Sequence, residues 1–245
     1  MPRSNWDTHV HVGQFKERYF SPVYVSSLLR KLNVQKYVVS STSAIFGDYH
    51  KCQSEYELLR ALDGENVYPF LWINPDASFN DTEKMIESCQ IKGVKIHCYA
   101  NKWDLNGEKI NGVFKIAEER KLPILIHTGE TANCYPTDYK GLIERYKGTK
   151  IILGHGRPVN NAIIILGEFE NVFVDTAFMP LIGVKAIIAA GYKSKILYGS
   201  DMPIDELYYK SSSAGRYYKK LIRWDKALSR DLSVIRSDNP QRLFQ

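Results

Sequence analysis

Six histidines occur in this chain, and five of them close short apolar runs. His9 and His11 close the first run, His97 the fourth, His127 the fifth and His155 the sixth; only His50 lies elsewhere. An aspartate, Asp201, follows the eighth run in Gly199-Ser200-Asp201. Three imidazoles and a carboxylate meeting at one point suit a borderline divalent ion, above all Zn²⁺. A lone histidine is ordinarily a hydrogen-bonded structural residue, and a His-x-His pair by itself says little. Five histidines at equivalent places in the chain say more, provided the fold gathers them. A catalytic ion keeps one position open, and Zn²⁺ lowers the pKa of a bound water to about 7.

The elements that would gather them are legible. The apolar runs are Trp6–Val12, Lys36–Ser41, Val67–Asn74, Gly93–Cys98, Pro123–Thr128, Lys150–His155, Asn171–Thr176 and Lys195–Ser200. Tyr37-Val38-Val39, Ile124-Leu125-Ile126 and Ile151-Ile152-Leu153 are apolar on both faces, as a parallel strand must be when helices cover one side and a core the other. Helical stretches separate them. Ser21-Pro22 reads as an N-cap followed by proline at the first helical position. Glu55–Leu62, Glu83–Cys89, Val113–Ala117, Gly141–Tyr146, Ala162–Phe169, Val184–Ala190 and Tyr217–Leu228 continue the series. Strict alternation predicts an α/β fold with a parallel sheet, and eight units in 245 residues are the size of a single (β/α)8 TIM barrel over residues 1–245. The competing open, doubly wound sheet would usually carry a Gly-rich phosphate turn; no GxGxxG or GxxxxGK[ST] is present. In a barrel the C-terminal strand ends open onto one face. Alternation puts His9 and His11 on one side of a strand that also carries Asp7, and Lys95 with His97 on one side of the fourth. Such groups cannot sit unpaired in the outer apolar layer, so the inner mouth is their expected place.

Composition narrows the classes. Lys and Arg number 33 against 27 Asp and Glu, a net +6 that is too modest to signal nucleic acid. With 44% hydrophobic and 24% charged residues the chain is ordinary globular material. Cys52, Cys89, Cys98 and Cys134 form no CxxC pair and read as reduced thiols of a cytoplasmic protein. The opening residues lack the apolar run of a secretion signal, and no stretch approaches the roughly 20 apolar residues that span a bilayer, so no membrane partner is expected. Tyr208-Tyr209-Lys210, Arg216-Tyr217-Tyr218-Lys219-Lys220 and Arg223-Trp224 mix basic and aromatic residues as nucleic-acid surfaces do. The preferred reading is an amphipathic last helix with its aromatics inward and its lysines solvated. A homodimer is the ordinary assembly to expect.

The residues resemble a family. Asp7-Thr8-His9-Val10-His11 is similar to the opening motif of the amidohydrolase superfamily. Gly93–His97, Pro123–Gly129, Ile152–Gly156 and Tyr198–Pro203 follow in that family's order, and Asn239-Pro240-Gln241-Arg242-Leu243-Phe244 resembles its close. The likeness is to the amidohydrolase-2 branch, which holds metal-dependent hydrolases and the aminocarboxymuconate-semialdehyde-type decarboxylases. It implies His9, His11, His127 and Asp201 as metal ligands and His155 as a catalytic residue beside the metal, with Asp201 also shuttling a proton. Related binuclear enzymes carry a carboxylated lysine on the fourth strand; here Lys95 stands two residues before its end and His97 occupies the end. One ion, Zn²⁺ or Mn²⁺, is therefore expected, with His97 a substrate contact and Lys95 ion-paired inside the barrel.

Further residues are candidates for supporting roles. Arg157, after Gly154-His155-Gly156, offers a planar fork for a substrate carboxylate or phosphate, or else a surface ion pair. Asp175 and Glu130 are candidate acceptors for the outer nitrogens of ligand histidines. Trp72, Tyr99, Trp103 and Tyr135 are candidate pocket walls. The expectation is a metal-dependent hydrolase acting on a C–N or C–O bond of a small carboxylated molecule. A metal-dependent non-oxidative decarboxylase is the alternative, and a non-catalytic metal-binding barrel or a barrel-type nuclease is a minor one.

Overall fold

The computed structural model describes residues 4–129, 131, 133–209 and 211–244. Its strands are β1 (Trp6–Phe15), β2 (Arg18–Phe20), β3 (Lys36–Ser41), β4 (Val67–Trp72), β5 (Gly93–Ile96), β6 (Ile124–His127), β7 (Ile151–Gly154), β8 (Val172–Asp175) and β9 (Ile196–Leu197). The longer helices between and after them are α1 (Pro22–Lys31), α2 (Tyr49–Asp63), α3 (Phe79–Ser88), α4 (Glu108–Glu119), α5 (Lys140–Arg145), α6 (Val159–Glu168), α7 (Leu181–Ala189) and α8 (Ser213–Leu228). Every expected run carries a strand. The addition is β2, which folds back on β1 through Lys16 and Glu17 and pairs Gly13 with Phe20. The polar stretch Lys16-Glu17-Arg18 hid it. The α1 N-cap is as expected: the Tyr24 amide donates to Ser21 Oγ at 3.2 Å, with Pro22 at the first helical position.

The sheet runs β2-β1-β3-β4-β5-β6-β7-β8-β9, and only the β1–β2 pair is antiparallel. It is strongly curled. Thr8 N donates to Tyr198 O at 2.7 Å, Asp201 N to His9 O at 2.8 Å, and His11 N to Met202 O at 2.7 Å. The first long strand is thus hydrogen-bonded to the segment that follows the last.

Two apolar cores result from the alternation of side chains. Val39, Leu71, Ile126, Leu153, Val174 and Ile196 belong to the large core that includes buried helix residues. Val38, Phe70, Leu125, Ile152 and Leu197 form a second, small core with Leu243. That second set lies inside the curl, and Phe244 closes it by stacking on Trp6 with ring centroids 5.2 Å apart. The closing motif therefore acts as a plug. Asn239, fully buried, donates from Nδ2 to Lys193 O at 2.8 Å and Ile196 O at 2.7 Å and pins the start of β9.

Alternation along β1 is interrupted. The register of β1 with β3 slips between Asp7 and Val10, where an extra residue is accommodated. A one-residue bulge reverses the facing of whatever precedes it. Asp7 consequently does not share a face with His9 and His11. Its Oδ1 accepts from the Ser200 amide at 3.0 Å and the His9 amide at 3.2 Å, tying β1 to the segment that bears Asp201.

Candidate active site

The C-terminal strand ends bring the five strand-end histidines together. Ring centroids follow one another around a closed circuit: His11 to His9 at 5.1 Å, His9 to His155 at 5.0 Å, His155 to His127 at 4.6 Å, and His127 to His97 at 3.6 Å. Trp72 completes it, 5.3 Å from His97 and 5.8 Å from His11. Lys95 reaches the same place, its Nζ 3.2 Å from His9 Nε2 and 5.8 Å from the centre of the Trp72 ring. Asp201 Oδ1 stands 2.9 Å from His11 Nε2 and 3.6 Å from His9 Nε2. One ligand atom each from His9, His155 and Asp201 lies within 4.8 Å of the others.

The outer nitrogens fix the tautomers. His9 Nδ1 lies 2.8 Å from Asp175 Oδ2, His155 Nδ1 3.1 Å from Ala177 O, and His11 Nδ1 3.3 Å from Ser40 O. Carboxylates and carbonyls only accept, so each of these Nδ1 atoms carries the proton. The Nε2 atoms of His9 and His11 then both face one oxygen of Asp201, at 3.6 and 2.9 Å. Such a contact needs either a proton or a metal ion between nitrogen and oxygen, and a set of imidazoles plus one carboxylate fits a divalent ion of the Zn²⁺ kind. His155 Nε2 takes its hydrogen bond from His127 Nδ1 at 3.0 Å, which leaves His127 Nε2 as an acceptor too. His97 differs. Its Nδ1 accepts from the Ala100 amide at 3.3 Å, capping the short helix Cys98–Asn101, so its Nε2 bears the hydrogen and acts as a donor.

Burial sets the charges. It pushes His155 down to about 4, Lys95 down to about 8, and His97 and His127 well below the ordinary imidazole value. His11 is lowered for the same reason, against the pull of Asp201. Burial alone would raise Asp175, yet the His9 ring and the His155 amide hold it at about 2. Asp201 is likewise held well below the usual carboxylate range, because the His9 and His11 rings outweigh its burial. Neutral rings and ionised acids are the states that ligands need.

The backbone is strained where it presents two of these groups. His155 has φ +68° and Asp201 φ +65°, the left-handed region that side chains with a Cβ avoid. Each costs on the order of 1 kcal/mol and persists only where the surroundings impose it. Asp175 Oδ1 does so for His155, accepting its amide at 3.0 Å and that of Ala177 at 2.9 Å. His9 O does so for Asp201 through the 2.8 Å bond already described.

The sequence profile of the amidohydrolase family matches residues 6–245. The chain belongs to that family. No curated protein matches it. Among solved structures it is similar to a protein of Acinetobacter baumannii described as a probable 2-pyrone-4,6-dicarboxylic acid hydrolase with citric acid bound, at TM-score 0.72 and 15% identity, covering 98% of this chain and 99% of that one. It is similar also to the 5-carboxyvanillate decarboxylase of Sphingomonas paucimobilis, at TM-score 0.70 and 13% identity over 99% of both chains. A third, the 4-oxalomesaconate hydratase of Rhodopseudomonas palustris, has TM-score 0.65 and 12% identity, with 98% and 95% covered. At such identities the likeness is one of fold.

In this amidohydrolase the five rings, Lys95 and Asp201 line a cavity of about 470 Å³. Arg157 lines it as well, while its amide donates to Thr128 Oγ1 at 3.2 Å. The expected ion pair of Lys95 is not found: among the described residues no carboxylate lies at hydrogen-bond range of its ammonium, and its near neighbour is the His9 ring. Asp175 is the acceptor that the sequence offered, and Glu130 lies outside the described residues. Of the aromatic candidates Trp72 and Tyr99 are walls, whereas Trp103 and Tyr135 are not in the lining. Sequence reasoning missed Phe15, Phe178, Ile204, Tyr208 and Tyr209, which complete the walls. Tyr208 and Tyr209 belong to the segment before α8 rather than to an amphipathic helix; their position just past Asp201 was the available signal. In α8 itself Tyr217 and Trp224 are buried and Lys219 and Arg223 exposed, as an amphipathic helix requires, but Tyr218 is exposed rather than inward and Lys220 is half-buried.

Proposed function

We propose that residues 1–245 form one closed (β/α)8 barrel that hydrolyses a C–N or C–O bond in a small carboxylated molecule, with one divalent ion, Zn²⁺ or Mn²⁺, held by His9, His11, His127 and Asp201. The observation that carries this reading is the convergence of the His9 and His11 Nε2 atoms on Asp201, each ring fixed from behind. The bonds from β1 to the segment after β9 support closure. Bound there, such an ion would supply Lewis acidity to water and to a substrate carbonyl.

The chain's own groups divide the remaining work. His155 orients the reacting water or the carbonyl, and Asp201 passes a proton to the leaving group through a carboxylate oxygen. His97, with hydrogen on Nε2, donates to the substrate. Arg157 takes the substrate carboxylate in its planar fork. Phe15, Phe178 and Tyr208 exclude bulk water from the cavity. A cytoplasmic location is part of the same proposal, and among the described residues no helix is long and apolar enough to cross a membrane.

His155 is a rival for the coordination place given to His127, because its ligand atom already meets those of His9 and Asp201. Metal content separates the two. Elemental analysis should find about one ion per chain in the natural protein and in Asp201→Asn a loss of turnover. His127→Asn should lose metal while His155→Asn keeps it and loses activity; the reverse would exchange their roles. Natural protein purified without chelators and holding no site-bound metal would end this reading. Carbon dioxide release from small carboxylic acids, without hydrolysis of esters, lactones or amides, would replace it with decarboxylation, a reaction that one of the similar structures names.

A further inference from the structure

A half-buried cation, Lys220, takes no part in the scheme above. Lys220 sits in the middle of α8, outside the residues that line the 470 Å³ cavity. Its Nζ donates to Thr176 O at 3.0 Å and to Gly199 O at 3.4 Å. Its ammonium lies 4.4 Å from the centre of the Trp224 ring and 5.0 Å from that of Tyr198, in cation–π range of both. An ammonium in such a place trades part of its hydration for two carbonyls and two ring faces, and desolvation brings it down to about 8 although Asp7, Asp175, Asp205 and Asp201 all favour its charge.

What it grips is specific. Thr176 directly precedes Ala177, whose carbonyl fixes the Nδ1 proton of His155. Gly199 stands two residues before Asp201. These two ends are already latched, since Gly199 N donates to Thr176 Oγ1 at 3.1 Å. The segment between Gly199 and Asp201 is held from the other side by Asp7, which accepts from the Ser200 amide. The β8 and β9 ends carry His155's tether and Asp201, and both of those site residues lie in strained backbone. Such backbone holds its shape only where neighbours over-determine it.

We infer that Lys220 is a positioning residue for the metal centre: its ammonium clamps the β8 and β9 ends together and so sets the geometry of Asp201 and the orientation of His155. This rests on the proposed metal-dependent function. The last helix thereby contributes to the site without reaching it.

The test compares the natural chain with Lys220→Met, which keeps the stem and removes the ammonium, and with Lys220→Arg, which keeps a cation. Co²⁺ and Zn²⁺ affinities are measured by competition with a chromophoric chelator, the Co²⁺ absorption spectrum is recorded, and the metal-free proteins are melted. Lys220→Met should bind about tenfold more weakly, with an altered Co²⁺ spectrum, as outer partners of ligands do when lost. Lys220→Arg should recover part of both. A purely structural lysine would lower the melting point of the metal-free protein and leave affinity and spectrum unchanged; that result overturns the inference and leaves the proposed function standing. A natural chain that binds neither ion overturns both. Should Lys220→Met not fold, Lys220→Gln, a neutral donor, is read by the same criteria.

Discussion

Asp175 does more at the residue scale than any ligand. One oxygen takes the His9 Nδ1 proton; the other takes the amides of His155 and Ala177. It therefore fixes one ring's tautomer and another's backbone. Asp175→Asn can serve these roles only in part, because its amide nitrogen cannot accept. The expected outcome is a 10–100-fold loss of metal affinity in chelator competition, the usual cost of losing an outer-sphere partner. An unchanged affinity would mean that His9 is held by its packing alone.

Between elements, close approach is what lets the strands deliver their side chains. A Cβ at Gly199 would fall 2.9 Å from His9 Cβ and 3.2 Å from Asp175 Cβ. Gly199→Ala should thus cost about 2 kcal/mol in urea unfolding, within the range for overpacked interiors, and weaken metal binding in the same protein. The closing motif is tested separately. Asn239→Ala takes its side-chain donor from the buried Ile196 carbonyl and from that of Lys193, which keeps the Ile196 amide. Unsatisfied buried groups cost about 1–3 kcal/mol, so a loss of about 2 kcal/mol is expected in the same unfolding assay. Because Asn239 lies at the start of β9 and not at its functional end, metal affinity of the folded variant should stay near that of the natural protein.

For the molecule as a whole, the ion and the fold are linked. The proposed ligands, from β1, β6 and the segment after β9, are remote in sequence and meet only in the native state, so a metal bound there would stabilise that state. At a free concentration a hundred times its dissociation constant it adds about 2.7 kcal/mol. In a chain of this size that corresponds to a melting point about 5–10 °C higher. Scanning calorimetry with and without a strong chelator checks this; coincident melting curves would show that the donors bind nothing tightly.

Much of this was readable from the residues. Runs apolar at every position, such as Ile151-Ile152-Leu153, can be satisfied only as strands covered on both sides, and their alternation with helices dictated the parallel order. The strand-end histidines and Asp201 followed, since strand ends of one sense share one face. Two things depended on the tertiary structure. The bulge after Asp7, invisible in the alternation, turned that acid away from the histidines and made it a tether for Ser200. The helix-borne Lys220, indistinguishable in sequence from its solvated neighbour Lys219, was folded half-buried against two strand-end carbonyls. Local sequence sets the period of an element and the chemistry of its side chains; register slips and the burial of a single long side chain are decided by the energy of packing between elements, which no one segment encodes.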